Sequence, residues 1–116
     1  MSQSLQDCLE GFREKVNQHP RLRTLLKGWE RIVIIEGSDT GSRLFMPFTD
    51  SKITSVQEGE APPGIELRIR AEEQLLIQVF SGALNPAAAF LNGDLQVFAD
   101  DRDQIKLDAI TLVIWE

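Results

Sequence analysis

The sequence predicts an α+β domain, a five-stranded, mostly antiparallel sheet covered on one face by helices. Three observations carry that expectation. The chain opens with apolar residues at helical spacing, its middle alternates with a period of two between short turns, and its last third returns to helix punctuation. Strands joined by short turns and flanked by helices at both ends bury one sheet face under those helices.

The elements follow in order. Leu5, Cys8, Leu9, Phe12 and Val16 fall at i, i+3, i+4, i+7 and i+11, one stripe of a first helix. His19-Pro20 interrupts it, because the residue before proline avoids the helical region. A short helix over residues 21–27 then ends at Gly28. Ile32-Val33-Ile34-Ile35 is an unbroken apolar run, expected of a strand buried on both faces. Residues 37–42 form a turn, Leu44, Met46 and Phe48 alternate on the next strand, and Asp50-Ser51 turns into a strand over residues 52–57. The Pro/Gly-rich stretch 59–64 is too short for an interdomain linker, so residues 1–116 read as a single domain. Beyond it, Ile65, Leu67 and Ile69 alternate strictly with Glu66, Arg68 and Arg70, which puts one strand face in the core. A helix over residues 71–80 turns Leu75, Leu76, Val79 and Phe80 inward, although no capping residue precedes Glu72.

Asn85-Pro86 opens a short Ala-rich helix: the Asn side chain accepts from the free amides of the first turn, and proline suits the first helical position. Asn92-Gly93 closes it, and residues 94–98 alternate as the fifth strand. Asp101 and Gln104 read as a capping box for the last helix. In that helix Ile105, Leu107, Ala109, Ile110, Leu112, Val113, Ile114 and Trp115 leave almost no polar face. Such a helix is covered by the core, by a second copy or an enzyme partner, or by an apolar ligand.

The register Gly82, Leu84, Pro86, Ala89-Phe90, Gly93, Leu95, Val97, Asp100 resembles the signature of the sterol carrier protein type two family, with Ala99 where the family has Gly. Element order over most of the chain is similar too. The resemblance implies an apolar lipid tunnel between sheet and helices. It implies non-catalytic carriage of a hydrophobic ligand (sterol, fatty acyl or isoprenoid lipid), with no cofactor. Family members also serve beside hydrolases such as alkylsulfatases and in ubiquinone biosynthesis, which implies an alternative: a scaffold or accessory module of a lipid or ubiquinone biosynthesis complex, docking through its apolar C-terminal helix. With the strand at 94–98 in the sheet, Leu95 and Val97 share the helix-covered face. Leu76 and Phe80, Phe90 and Leu91, and Ile110 and Ile114 are expected to wall the same space. Peroxisomal members end in a Ser-Lys-Leu-like signal, whereas this chain ends Val113-Ile114-Trp115-Glu116, so a bacterial stand-alone member is expected.

Bulk properties agree with a folded carrier. Of 116 residues, 42% are hydrophobic and 26% charged, enough apolar side chain for a core. A net charge of −6 argues against nucleic acid, which needs a clustered positive surface. Residues 1–31 nevertheless hold six basic against four acidic side chains, which reads either as an ordinary solvated helix surface or as a weakly basic face for transient contact with an anionic membrane surface or an acidic partner. No apolar run approaches the ~20 residues of a membrane span, and the polar start Met1-Ser2-Gln3-Ser4 is unlike a signal peptide. A lone Cys8 fits a reducing compartment, so a cytosolic location is expected.

Chemistry is sparse. Cys8 and His19, the one thiol and the one imidazole, would lie ~16 Å apart on a continuous helix, beyond reach of each other. One His and one Cys make no zinc-ligand set. Asp100-Asp101-Arg102-Asp103 lacks the spacing of a calcium loop, and the 37–41 turn lacks a phosphate-binding lysine. The sequence therefore predicts a protein that is not an enzyme.

Overall fold

The computed structural model describes residues 4–114; Met1 to Gln3 and the end of the apolar run at Trp115 lie outside the described residues. The first helix, α1 (Leu5–Gln18), starts where the Ser4 side chain accepts from the Asp7 amide, and it buries the whole expected stripe, Leu5, Cys8, Leu9, Phe12 and Val16. His19 ends it and begins the next: its Nδ1 accepts from the Arg21 amide at the start of α2 (Pro20–Leu25). Helix α2 thus takes Pro20 as its first residue, the position where the missing N–H costs nothing. Gly28, at φ +77°, carries the chain out of it.

The sheet has six strands and is mixed. They are β1 (Arg31–Gly37), β2 (Arg43–Thr49), β3 (Lys52–Ile53), β4 (Gln57–Glu58), β5 (Glu66–Ala71) and β6 (Gln96–Phe98), in the order β3-β2-β1-β5-β6 with β4 also on β2. The expected count of five rose to six because the strand expected over 52–57 is two short pieces. One pairs with Phe48-Thr49 and the other with Leu44-Phe45. Between them lies Pro47, which has no N–H to give; its carbonyl accepts from the Thr54 amide instead. Asp50 and Ser51 sit at φ +56° and +64°, the left-handed pair that a tight two-residue hairpin requires. The sheet is mostly antiparallel, as expected, with one parallel pair, β1–β5, that sets Val33 against Leu67 and Ile35 against Ile69. The loop before β5 crosses the back of the sheet, where Ala61 packs on Ile32, Ile34 and Phe45, and delivers β5 to the far side of β1. A crossing of that kind leaves the new strand parallel to the first.

The front face carries the main core. Val33, Ile35, Leu44, Met46, Phe48, Leu67 and Ile69 meet the helices there, while Ile32, Ile34 and Phe45 form the smaller cluster behind. Helix α1 is clasped to the sheet edge: Arg13 donates to the Ile53 and Thr54 carbonyls, and the Asn17 amide both donates to and accepts from the Ile53 backbone. These contacts occupy edge groups that would otherwise be open to another strand.

Helix α3 (Glu73–Phe80) begins two residues later than expected, because Ala71 is still paired with Gly37. Its missing local cap is supplied from a distance: Asp39, in the β1–β2 turn, accepts from the Glu73 amide at 2.9 Å. Helix α4 (Pro86–Leu91) has the expected start, with Asn85 Oδ1 accepting from the Ala87 amide. Strand β6 is shorter than expected since the amides of Asp94 and Leu95 both donate to the Ala89 carbonyl, which keeps them out of the ladder. The last helix, α5 (Asp101–Ile114), is capped by Asp100, whose carboxylate accepts from the Asp103 amide. The expected box is thus shifted by one residue, and Gln104 reaches back to the Ala99 carbonyl.

Candidate functional site

A cavity of about 790 Å³ lies between the front of the sheet and helices α4 and α5, within the ~300–1,000 Å³ of ordinary small-molecule sites. Its floor is built by the period of two. Val33 and Met46 pair across β1 and β2, Ile69 and Val97 pair across β5 and β6, and Phe48 extends the same face. Phe12 from α1 and Phe80 from α3 meet edge to face, with centroids 5.2 Å apart, and close one end. Leu84, Pro86, Phe90 and Leu91 bring in α4, and Leu107 and Ile110 bring in α5.

Helix α5 is held over this space from its first two turns. Asp103, buried, accepts from Trp29 Nε1 at 2.8 Å and from Arg31 Nε at 3.2 Å. The Arg31 guanidinium lies 5.7 Å from the Trp29 ring centre, and the same indole meets Phe48 edge to face. Lys106 adds a bond from Nζ to the Leu25 carbonyl at 2.9 Å. These contacts fix the helix on α2 and β1, so that Ile110, 1% exposed, drops onto the cavity. The helix is not covered all round: Ile105 is 68% and Leu112 70% exposed. Leu112, with Phe90 at 43% and Leu91 at 83%, forms an apolar rim where the cavity meets solvent.

Of the eight residues picked out in the sequence, Phe80, Phe90, Leu91, Leu95, Val97 and Ile110 line the cavity. Leu76 does not; it is fully buried in the core, a turn before Phe80. Ile114 does not either, lying a turn beyond Ile110 and packing on the core from the helix end. The floor residues Val33, Met46, Phe48 and Ile69 were missed: the alternation of the last three was visible but not their pairing, and Val33 lay in an unbroken apolar run. Also missed were four polar residues, Asn85, Gln104, Asp108 and Thr111. The last three fall at i, i+4 and i+7 on α5, a spacing that does mark one helix face.

The lone thiol is placed for packing. Cys8 is buried, and burial, with the Asp7 carboxylate second, pushes its pKa above the ordinary thiol value. His19 is occupied as a helix cap. Among the described residues no group of His, Cys, Asp and Glu could hold a metal ion, and no helix is long and apolar enough to cross a membrane.

The family model described as the SCP-2 sterol transfer family matches residues 9–100. Among solved structures, the chain is similar to UbiJ-SCP2, a ubiquinone synthesis protein, at 15% identity over 90% of this chain and 85% of that one, TM-score 0.65. It is similar to palmitated SCP2L2 from Aedes aegypti at 13% identity over 98% and 96%, TM-score 0.65. It also matches the stereoselective inverting sec-alkylsulfatase Pisa1 from Pseudomonas sp. at 14% identity and TM-score 0.60; there it covers 78% of itself and spans only 14% of the enzyme. At these identities the likeness is one of fold. No curated protein matches the chain.

Proposed function

We propose that this chain, which belongs to the SCP-2 sterol transfer family, is a single domain over residues 1–116 that binds a hydrophobic molecule in the cavity under α5 and carries it without chemical change. The observation that carries the reading is the cavity itself: an apolar floor of sheet residues and an apolar rim, about 790 Å³ in all. Burial supplies the affinity. Each methylene taken out of water contributes ~0.8 kcal/mol, so an alkyl chain of about ten carbons reaches the ~8 kcal/mol of a micromolar complex before ordering costs. No side chain is assigned a catalytic step. The carrier works in the cytosol, where a lone thiol stays reduced, and meets membranes through the weakly basic segment 1–31. A second reading, an accessory module in a lipid or quinone biosynthesis complex, is favoured by the exposed Ile105 and Leu112 on α5 and by the likeness to UbiJ-SCP2.

The test is to fill the cavity. Ile110→Trp and Phe90→Trp should weaken binding of an uncharged lipid-like fluorescent probe at least tenfold while lowering the melting temperature little. In a closed core the same overpacking would cost ~1–3 kcal/mol of stability. Unchanged probe binding together with a large loss of stability would refute the cavity reading.

A further inference from the structure

We infer that the mouth of the cavity seats on a lipid surface without net charge, a phosphatidylcholine bilayer in the simplest case, through the exposed half of the segment 74–93 together with Leu112. The inference rests on the carrier reading above. It adds to the basic segment 1–31 a second contact of opposite character, one that salt does not screen.

Residues 74–93 hold no Asp, Glu, Lys, Arg or His, the longest such run in a chain that is 26% charged. Burial explains its first part, where Leu76, Val79 and Phe80 fill the core from α3. It does not explain the second. From Ser81 to Gly93 every residue is exposed except Leu84, Pro86 and Ala89, and a surface turned only to water carries charge at about a quarter of its positions. Helix α4 shows what stands there instead. Ala88 and Leu91, three residues apart, share one face of the helix, and Leu91 leaves 83% of its surface in water. Phe90, Leu91 and Leu112 are at once exposed and part of the cavity lining, so this apolar patch is the rim of the opening.

The charges beside the patch decide which lipid surface fits it. Asp94 follows Gly93 directly, and Asp108 precedes Leu112 by one turn of α5; both are exposed. An anionic surface repels both carboxylates, whereas a zwitterionic one presents them with no net charge. With Phe90, Leu91 and Leu112 seated at the boundary between headgroups and acyl chains, the bilayer closes the mouth from outside. An alkyl chain then passes between the bilayer and the sheet floor without entering water, a detour whose cost grows with every methylene.

The experiment is flotation of the full chain with phosphatidylcholine vesicles at low salt and at ~1 M salt, where the Debye length falls to about 3 Å. The parent should float with the vesicles equally well in both. Ala88 is exposed and outside the cavity lining, so its variants should keep the fold and the cavity, which circular dichroism and binding of an uncharged fluorescent probe without vesicles check. Ala88→Glu, which sets a carboxylate beside Leu91, should weaken vesicle association about tenfold, or ~1.4 kcal/mol. Ala88→Trp should strengthen it, and brominated phosphatidylcholine should quench the tryptophan emission of that variant more than the parent's. A parent that stays out of the floated vesicles, association lost at high salt, or equal association of the parent and Ala88→Glu overturns the inference, and the carrier reading stands as long as the probe binds in solution. A parent that does not bind the probe in solution overturns both.

Discussion

Replacing Asp103 should loosen the helix that roofs the cavity, and its cost can be worked from the contacts. Asp103→Ala removes the acceptor of two donors. Trp29 Nε1 is the more serious loss, because the indole is buried and its N–H would be left without a partner, ~1–3 kcal/mol. Arg31 loses less, since its side chain is 24% exposed and one of its terminal nitrogens still donates to the Glu30 carbonyl; about 1 kcal/mol is expected after screening. The total is about 2–4 kcal/mol, a large part of the ~5–15 kcal/mol that holds a small domain together. Asp103→Asn keeps an acceptor for the indole but turns its NH₂ to Arg31 Nε, so it loses the ion pair and its hydrogen bond and should cost ~1 kcal/mol. Urea unfolding followed by tryptophan fluorescence reads both variants, and the alanine change should lower the melting temperature by roughly 4 °C per kcal/mol. Alanine within ~0.5 kcal/mol of the parent would refute the anchoring role.

The thiol should react slowly. In the native protein Cys8 should resist alkylation until the chain unfolds, and its raised pKa means that the neutral thiol favours the fold at ordinary pH, a contribution lost as pH rises through the folded-state value. Cys8→Ser and His19→Ala should leave probe binding intact, whereas loss of binding in either would reveal a chemical role. Membrane contact can be tested by reversing charge on exposed Arg21 and Arg23, each worth up to ~1 kcal/mol at an anionic surface. Their replacement by Glu should slow lipid transfer to anionic vesicles and spare transfer to neutral ones. Equal rates on both vesicle types, at low and high salt, would remove this segment from the mechanism.

Local signals in the sequence proved dependable. The stripe of α1, the caps at Asn85 and Gly93, and the alternation of β2 and β5 all follow from neighbours within a few residues. The cavity walls at Phe90, Leu95 and Ile110 were readable because a family register placed them on facing elements. Long-range partners were not readable. Nothing near Glu73 says that Asp39 caps it, and nothing near Asp103 says that Trp29 and Arg31, more than seventy residues away, will meet it. The parallel β1–β5 pair has the same origin, a loop crossing whose destination depends on packing behind the sheet. Leu76 illustrates the limit on one helix: a turn before Phe80 and equally apolar, it fills the core instead of the cavity.

The central claim is that the space under α5 holds a lipid, and native mass spectrometry addresses it most directly. The full chain, produced without detergent, is incubated with a total lipid extract, re-isolated and sprayed from a volatile buffer. One lipid-sized adduct per chain, released on activation and absent from Ile110→Trp and Phe90→Trp, is the result expected of a cavity lined by those side chains. The bare polypeptide mass after every incubation, for parent and variants alike, would contradict it.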